Sequence, residues 1–171
     1  RFPIFTSNFK IHTLEDEIEL IQGLNKTTNQ NRGLFIEIKN PVFHRQEGRD
    51  ISQALLNTLK KYGYTSKNDN IYIQCFDPNE LKRIHSTIGP ETGVNVKLTQ
   101  LIAYTGWNST KEFKNGQWIN YNFDWMLKPE GMLEISKYAD AISPAFLMLI
   151  KHTDAETSVS HLTKYAHKNG L

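Results

Sequence analysis

GLFIEIKNP, Gly33 to Pro41, is the segment on which the fold reading turns. It reads as a short apolar strand that carries Glu37 and Lys39 near its end. Successive strand side chains point to opposite faces. Leu34, Ile36 and Ile38 therefore share one face, and Phe35, Glu37 and Lys39 share the other. Burying a carboxylate is costly unless a cation or hydrogen bonds compensate it. Either the two charges neutralise a spot inside the core, or their face opens onto a site.

Outward from this strand, helices and strands alternate. Thr13 is placed to cap a helix over 14–24, ahead of the strand at 34–39. Asp50 precedes a helix over 51–62 with apolar positions Ile51, Leu55, Leu56 and Leu59. Strand IYIQCF (71–76) leads into Asp77-Pro78-Asn79-Glu80. That run has a cap candidate, proline at the first helical position and an acid three residues after the cap. Its helix is expected to reach Ile88. A strand over 96–104, an aromatic loop over 105–127, a helix from Pro129 to Tyr138, a short strand at 141–143 and a helix over 159–168 complete the chain.

Helices between strands make parallel sheets, because a crossover is needed to return to the same edge. The choice lies between an open doubly wound sheet and a (β/α)8 barrel. No Gly-rich nucleotide loop follows any strand. A complete barrel takes roughly 250 residues, whereas this chain has 171. Four strand–helix units after a leading helix amount to about half of one. The α/β reading is thus an incomplete (β/α)8 TIM barrel, its central-to-C-terminal portion, forming one partial domain over 1–171. Arg1 in place of Met, the loop-like opening RFPIFTSNFKIHT and the closing HKNGL, with Gly170 as helix cap, agree with a partial chain.

Composition narrows the function. Lys+Arg 20 against Asp+Glu 18 gives a net charge of +2, and the charges are interspersed. That balance gives no reason to expect nucleic acid or an anionic membrane as partner. No run approaches the roughly 18 apolar residues of a membrane span. The single cysteine, Cys75, reads as a small core residue and excludes an internal disulfide framework.

In a barrel, active sites gather at the C-terminal ends of the strands. Glu37 and Lys39 occupy such an end. A carboxylate suits Mg²⁺ or Ca²⁺, and an ammonium can neutralise a phosphate oxygen. A structural ion pair inside the barrel fits the spacing equally. Tyr72, Gln74 and Phe76 share a face, as do Leu98, Gln100, Ile102 and Tyr104. Gln74 and Gln100 are either polar groups at a barrel mouth or satisfied core amides. The segment 107–125 holds three tryptophans and three other aromatics. It either covers the site, touching the non-reacting end of a substrate, or buries its aromatics against the barrel wall. The histidines are scattered, and only His44 falls near the proposed mouth. No zinc spacing or nucleophile elbow is present.

The blocks FKIHTLEDEIELIQGLN, IEIKNPVFHRQEGRDI, LKKYGY, IYIQCFDPNELKRI, QLIAYTGWN and NYNFDWMLKPEGM resemble the bacterial glycerophosphodiester phosphodiesterases of periplasmic or lipoprotein type. The match runs through nearly the whole chain, in the family's order. It implies a (β/α)8 barrel that hydrolyses glycerophosphodiesters, such as glycerophosphocholine, to glycerol 3-phosphate and an alcohol. It implies a divalent metal ion, usually Ca²⁺ with Mg²⁺ as the other candidate, and a periplasmic or outer-surface location. Glu37 matches the metal-binding glutamate of the EIK block, and Lys39 the phosphate-facing lysine. Gln74, Phe76 and Tyr104 are then the substrate-side residues. Ala145 follows Pro144 where the family carries an acid.

The two catalytic histidines and the remaining metal ligands of the family are expected upstream of Arg1, and its closing strands downstream of Leu171. The implied mechanism is general acid–base catalysis by those histidines, so no catalytic residue is assigned within the 171 residues, and these alone are expected to be inactive. Two alternatives carry different chemistry. One is a surface binding or adhesion protein on an inactive barrel, using the aromatic loop as its contact. The other is a different phosphodiesterase on the same barrel.

Overall fold

A computed structural model describes residues 11–108, 110–152 and 157–171, with the side chains of 151 and 152 excluded. The expected loop over 1–10 lies outside the described residues. Helix α1 (Leu14–Thr28) starts on a full capping box. The Thr13 hydroxyl accepts from the Asp16 N–H, and the Asp16 carboxylate accepts from the Thr13 N–H at 2.8 Å. The helix runs four residues further than periodicity suggested and ends on Asn29 in the left-handed region.

Four parallel strands follow: β1 (Leu34–Ile38), β2 (Ile71–Cys75), β3 (Lys97–Ile102) and β6 (Ala141–Pro144). They lie in the order β1-β2-β3-β6, each new strand joining the same growing edge. A doubly wound sheet reverses direction at a switch point. This one does not, which is the winding of a barrel. Between the strands run α2 (Pro41–Gln46), α3 (Ile51–Lys61), α4 (Pro78–Arg83), α5 (Gly89–Thr92) and α6 (Pro129–Ile135). The Asp50 carboxylate caps α3 by accepting from the Gln53 N–H at 3.0 Å.

The helix expected from Pro78 to Ile88 continues to Thr92, but Ile84–Ile88 is π-helical. Pro90 explains this, since its ring would clash with the carbonyl four residues earlier and it has no N–H to give. A wider turn relieves both. Gly89 follows it directly, where a Cβ would stand 2.8 Å from the Ile84 carbonyl oxygen and 2.9 Å from that of Val94.

Register sets the two faces of the sheet. Ile36, Ile73 and Leu98 are neighbours across β1, β2 and β3, as are Ile38, Cys75 and Gln100. This side is buried with Leu55, Leu56, Leu59 and Leu81 of the helices. Fully burying an isoleucine such as Ile71 or Ile73 is worth roughly 1.5–3 kcal/mol. The other side carries Phe35 beside Tyr72 and Glu37 beside Gln74, then Thr99. It is the side that faces the interior in a barrel. Cys75 is buried, as expected, its thiol 3.2 Å from the Ile38 carbonyl.

The segment 105–127 is not a plain loop. It contains an antiparallel hairpin, β4 (Lys111–Lys114) and β5 (Gln117–Asn120), between two short 3₁₀ turns. Asn115 (φ 53°) and Gly116 (φ 80°) make its turn, the Asn-Gly pair that two-residue hairpins favour. A second hairpin, β7 (Ile150–His152) with β8 (Thr157–Val159), follows the short α7 (Phe146–Leu149). Helix α8 (His161–Lys168) then closes the described chain, with Gly170 at φ 76° just beyond it.

Candidate active site

The chain turns sharply where β1 ends. Asn40 takes the left-handed conformation at φ 47°, and the buried Pro41 opens α2 immediately. Asparagine tolerates that region better than most residues. The turn leaves Glu37 and Lys39 at the C-terminal rim of the sheet. Lys39 Nζ donates to Glu37 Oε1 at 2.8 Å, with the lysine side chain 71% exposed and the glutamate side chain 24%. A pair so exposed contributes only about 0–1 kcal/mol, so fold stability gives little reason for it.

Both residues line a cleft of about 300 Å³ whose other walls include Pro41, Phe76, Asp77 and Trp118. Phe76 packs edge-on against the buried Phe123, ring centroids 6.0 Å apart. Asp77 brings a second carboxylate, whose proton affinity burial pushes up while the backbone N–H of Asn79 and Glu80 pull it down; the net shift is upward. Its Oδ1 accepts from Asn79 N–H at 2.9 Å and so caps α4. Lys111 and Trp118 reach the cleft from the β4–β5 hairpin. A larger cavity of about 420 Å³ lies near the opposite ends of the strands, beside Lys67, Asn95 and Asp140. Barrel enzymes do not place chemistry at that end.

The sequence-predicted residues do not all converge. Glu37, Lys39 and Phe76 line the cleft; Gln74 and Tyr104 are not among its walls. Gln74 neighbours Glu37 across the strand pair, on the same face. Tyr104 lies past the end of β3, exposed, and packs edge-on against Trp107 at 5.1 Å. Of its two readings, barrel-mouth group or core amide, Gln100 takes the second. It pairs with Cys75 rather than Gln74, so it lies on the helix-packed face, and Thr99 takes the place beside Gln74. Gln100 is fully buried as a satisfied amide. Its Oε1 accepts from Tyr138 Oη at 2.9 Å, and its Nε2 donates to the Leu101 carbonyl at 2.9 Å and lies 3.2 Å from those of Cys75 and Phe76. His44 belongs to α2 rather than a loop and packs against Phe43; it does not line the cleft.

The cleft has three further walls that the sequence does not single out as site residues. Asp77 reads there as a helix cap. Lys111 and Trp118 belong to the aromatic segment, of whose two readings this placement favours the site-covering one. A signal for the last two existed, since EFKNGQWI is an Asn-Gly turn between two β-prone runs.

Hard cations take six or more oxygen ligands. Among the described residues, no group of three or more His, Cys, Asp or Glu is arranged to hold a metal ion. Glu37 and Asp77 are the two carboxylates at the cleft, one engaged by Lys39 and the other by backbone N–H. The described residues by themselves thus do not compose a metal centre, and at this cleft Glu37 and Asp77 are the carboxylates that can contribute ligands to one.

A four-stranded parallel β/α sheet that grows along one edge, with charged groups at its C-terminal rim, agrees with part of a (β/α)8 barrel. The chain belongs to the glycerophosphoryl diester phosphodiesterase family, whose profile matches residues 1–171. The fold of that family is a TIM barrel, of which this sheet is an incomplete portion. The chain is 52% identical over 157 residues to a glycerophosphodiester phosphodiesterase of Haemophilus influenzae, covering 91% of this chain and 43% of that protein. It is 48% identical over 153 residues to a glycerophosphodiester phosphodiesterase of Treponema pallidum, covering 89% and 43%. The chain thus spans less than half the length of these curated relatives.

Proposed function

We propose that these residues are part of a phosphodiesterase that hydrolyses glycerophosphodiesters to glycerol 3-phosphate and an alcohol. The observation that carries this reading is the Glu37–Lys39 pair, open to a cleft at the C-terminal rim, in a chain of this family. Lys39 is the group that holds a phosphodiester anion. Its side chain is exposed, and its partner among the described residues is a carboxylate two residues away, which an incoming phosphate can replace. Phe76, Gln74 and Tyr104 belong to the substrate side, with Phe76 the one already on the cleft wall.

In the full-length protein, Glu37 contributes one carboxylate to a divalent cation, Ca²⁺ or Mg²⁺. When bound, such an ion supplies Lewis acidity toward the phosphoryl oxygens. The remaining ligands and the proton-transfer groups come from outside these 171 residues. A periplasmic or outer-surface location belongs to the same proposal, and cell fractionation tests it.

The deciding experiment uses full-length protein with Glu37→Ala and Lys39→Ala. Lys39→Ala is expected to lower kcat/KM for glycerophosphocholine at least tenfold. Glu37→Ala is expected to weaken metal affinity, read by calorimetry, together with activity. Unchanged kcat/KM in Lys39→Ala removes the phosphate role, and unchanged metal affinity in Glu37→Ala removes the ligand role.

A further inference from the structure

Behind the cleft lies a buried ionic cluster that the sequence did not announce. Glu80, on the first turn of α4, is 1% exposed. Its carboxylate accepts from Arg45 of α2, from the hydroxyl of the fully buried Ser52 of α3, and from Arg83 through Nη2 at 2.6 Å and Nε at 3.2 Å. Arg83 also grips Asp50, the cap of α3, through two parallel bonds of 2.8 Å. A buried carboxylate is tolerated only when paired and hydrogen-bonded, and here four donors reach it.

The connectivity gives this cluster a place in the site. Helix α2 begins directly after Lys39-Asn40, and its residues Pro41 and Val42 are cleft walls; Arg45 lies one turn further on. Helix α4 begins directly after Phe76-Asp77, also cleft walls, and Glu80 lies in its first turn. The Arg45–Glu80 contact therefore ties together the two strand–helix turns, after β1 and after β2, that both contribute walls to the cleft.

We infer that Glu80, through Arg45, is a positioning residue that sets where Lys39 stands relative to Phe76 and Asp77. This rests on the proposed phosphate role of Lys39. A cleft built on two separate turns has no covalent brace between its walls, and a displacement of about 1 Å can cost a hundredfold in rate. The single contact of Arg45 Nη1 with Glu80 Oε2, on a carboxylate that Ser52 and Arg83 hold in place, supplies that brace. Burial pushes the Glu80 carboxyl up, but hydrogen bonds from Arg83 and Ser52 outweigh it and hold the group ionised, below the ordinary range.

The test is a double-mutant cycle on the full-length protein with glycerophosphocholine as substrate. Glu80→Gln is expected to lower kcat/KM at least fivefold in the native background, and less than twofold when Lys39→Ala is already present. Arg45→Ala, at a half-exposed position, is expected to show the same coupling and guards against a Glu80→Gln variant that fails to fold. Glu80→Asp is expected to recover part of the loss. Circular dichroism at the assay temperature verifies that each variant is folded. Equal fold-losses in the native and Lys39→Ala backgrounds overturn the inference and leave the phosphate role standing. A Lys39→Ala variant with native kcat/KM overturns both.

Discussion

Tyr138 Oη lies 2.9 Å from Gln100 Oε1, and both side chains are buried on the helix-facing side of β3. The phenol follows α6 directly, so this one bond joins the end of a helix to the middle of the sheet. Burial pushes the Tyr138 hydroxyl well above its ordinary value, so it remains a donor at any working pH. Tyr138→Phe removes the donor and leaves a buried amide oxygen unpaired. The expected cost is about 1–3 kcal/mol, measured by urea unfolding of the full-length protein. An unchanged midpoint would show that the bond contributes nothing net.

Acid should weaken the ionic cluster. Hydrogen bonding to Arg83 holds the Asp50 carboxyl below its ordinary 3.8, and the Glu80 carboxyl is likewise held below its ordinary 4.5. The folded state then binds fewer protons than the unfolded state in acid. The stabilisation is present above about pH 4.5 and is lost as pH falls below it. Denaturant midpoints measured from about pH 6 down to pH 3 are expected to fall more steeply for native protein than for Glu80→Gln. Parallel curves would count against it.

Cys75 should be inert while the protein is folded. Its thiol is 1% exposed, and burial raises its pKa to about 12. At pH 8 only about one such thiol in ten thousand is a thiolate. Labelling of this residue by iodoacetamide is expected only after addition of denaturant. Prompt modification of Cys75 in native protein, located by peptide mass mapping, is the contrary result.

Gly131 on α6 is packed too closely to accept a side chain. A Cβ there would stand 1.9 Å from the Trp125 carbonyl oxygen and 2.9 Å from Met126 Cα, both backbone atoms. Helix propensity favours alanine over glycine by about 1 kcal/mol. Overpacking costs about 1–3 kcal/mol, and contacts with backbone atoms, which cannot rotate away, put this site at the upper end, so the steric effect wins. Gly131→Ala is expected to lower the melting temperature of the full-length protein by several degrees. A rise would mean that the backbone yields without strain.

Much of the fold was legible along the chain. Caps at Thr13, Asp50 and Asp77, proline at the first helical positions and apolar runs such as IYIQC mark elements through local chemistry alone. The π-helical turn ahead of Pro90 and the β4–β5 hairpin are harder to read, although each has a local cause. In both cases a Gly, Pro or Asn signal lies inside a segment whose wider pattern suggests another structure.

The site was legible only in part. Glu37 and Lys39 come from one strand end, so alternation and the turn after them sufficed to place both at the rim. Gln100 keeps two readings in the sequence, mouth residue or core amide, because alternation within a strand says nothing about its register against a neighbour. A slip of one residue exchanges the faces, and Gln100 lies beside Cys75, not Gln74.

The amino-acid sequence by itself determined where the chain coils, extends and turns, because caps, prolines and side-chain periodicity act over a few residues. Only the tertiary structure decided which polar groups share a surface: Trp118 came to the cleft of Glu37, and Arg45 to buried Glu80. Those encounters depend on strand register and on helices packing across distances that no local pattern encodes.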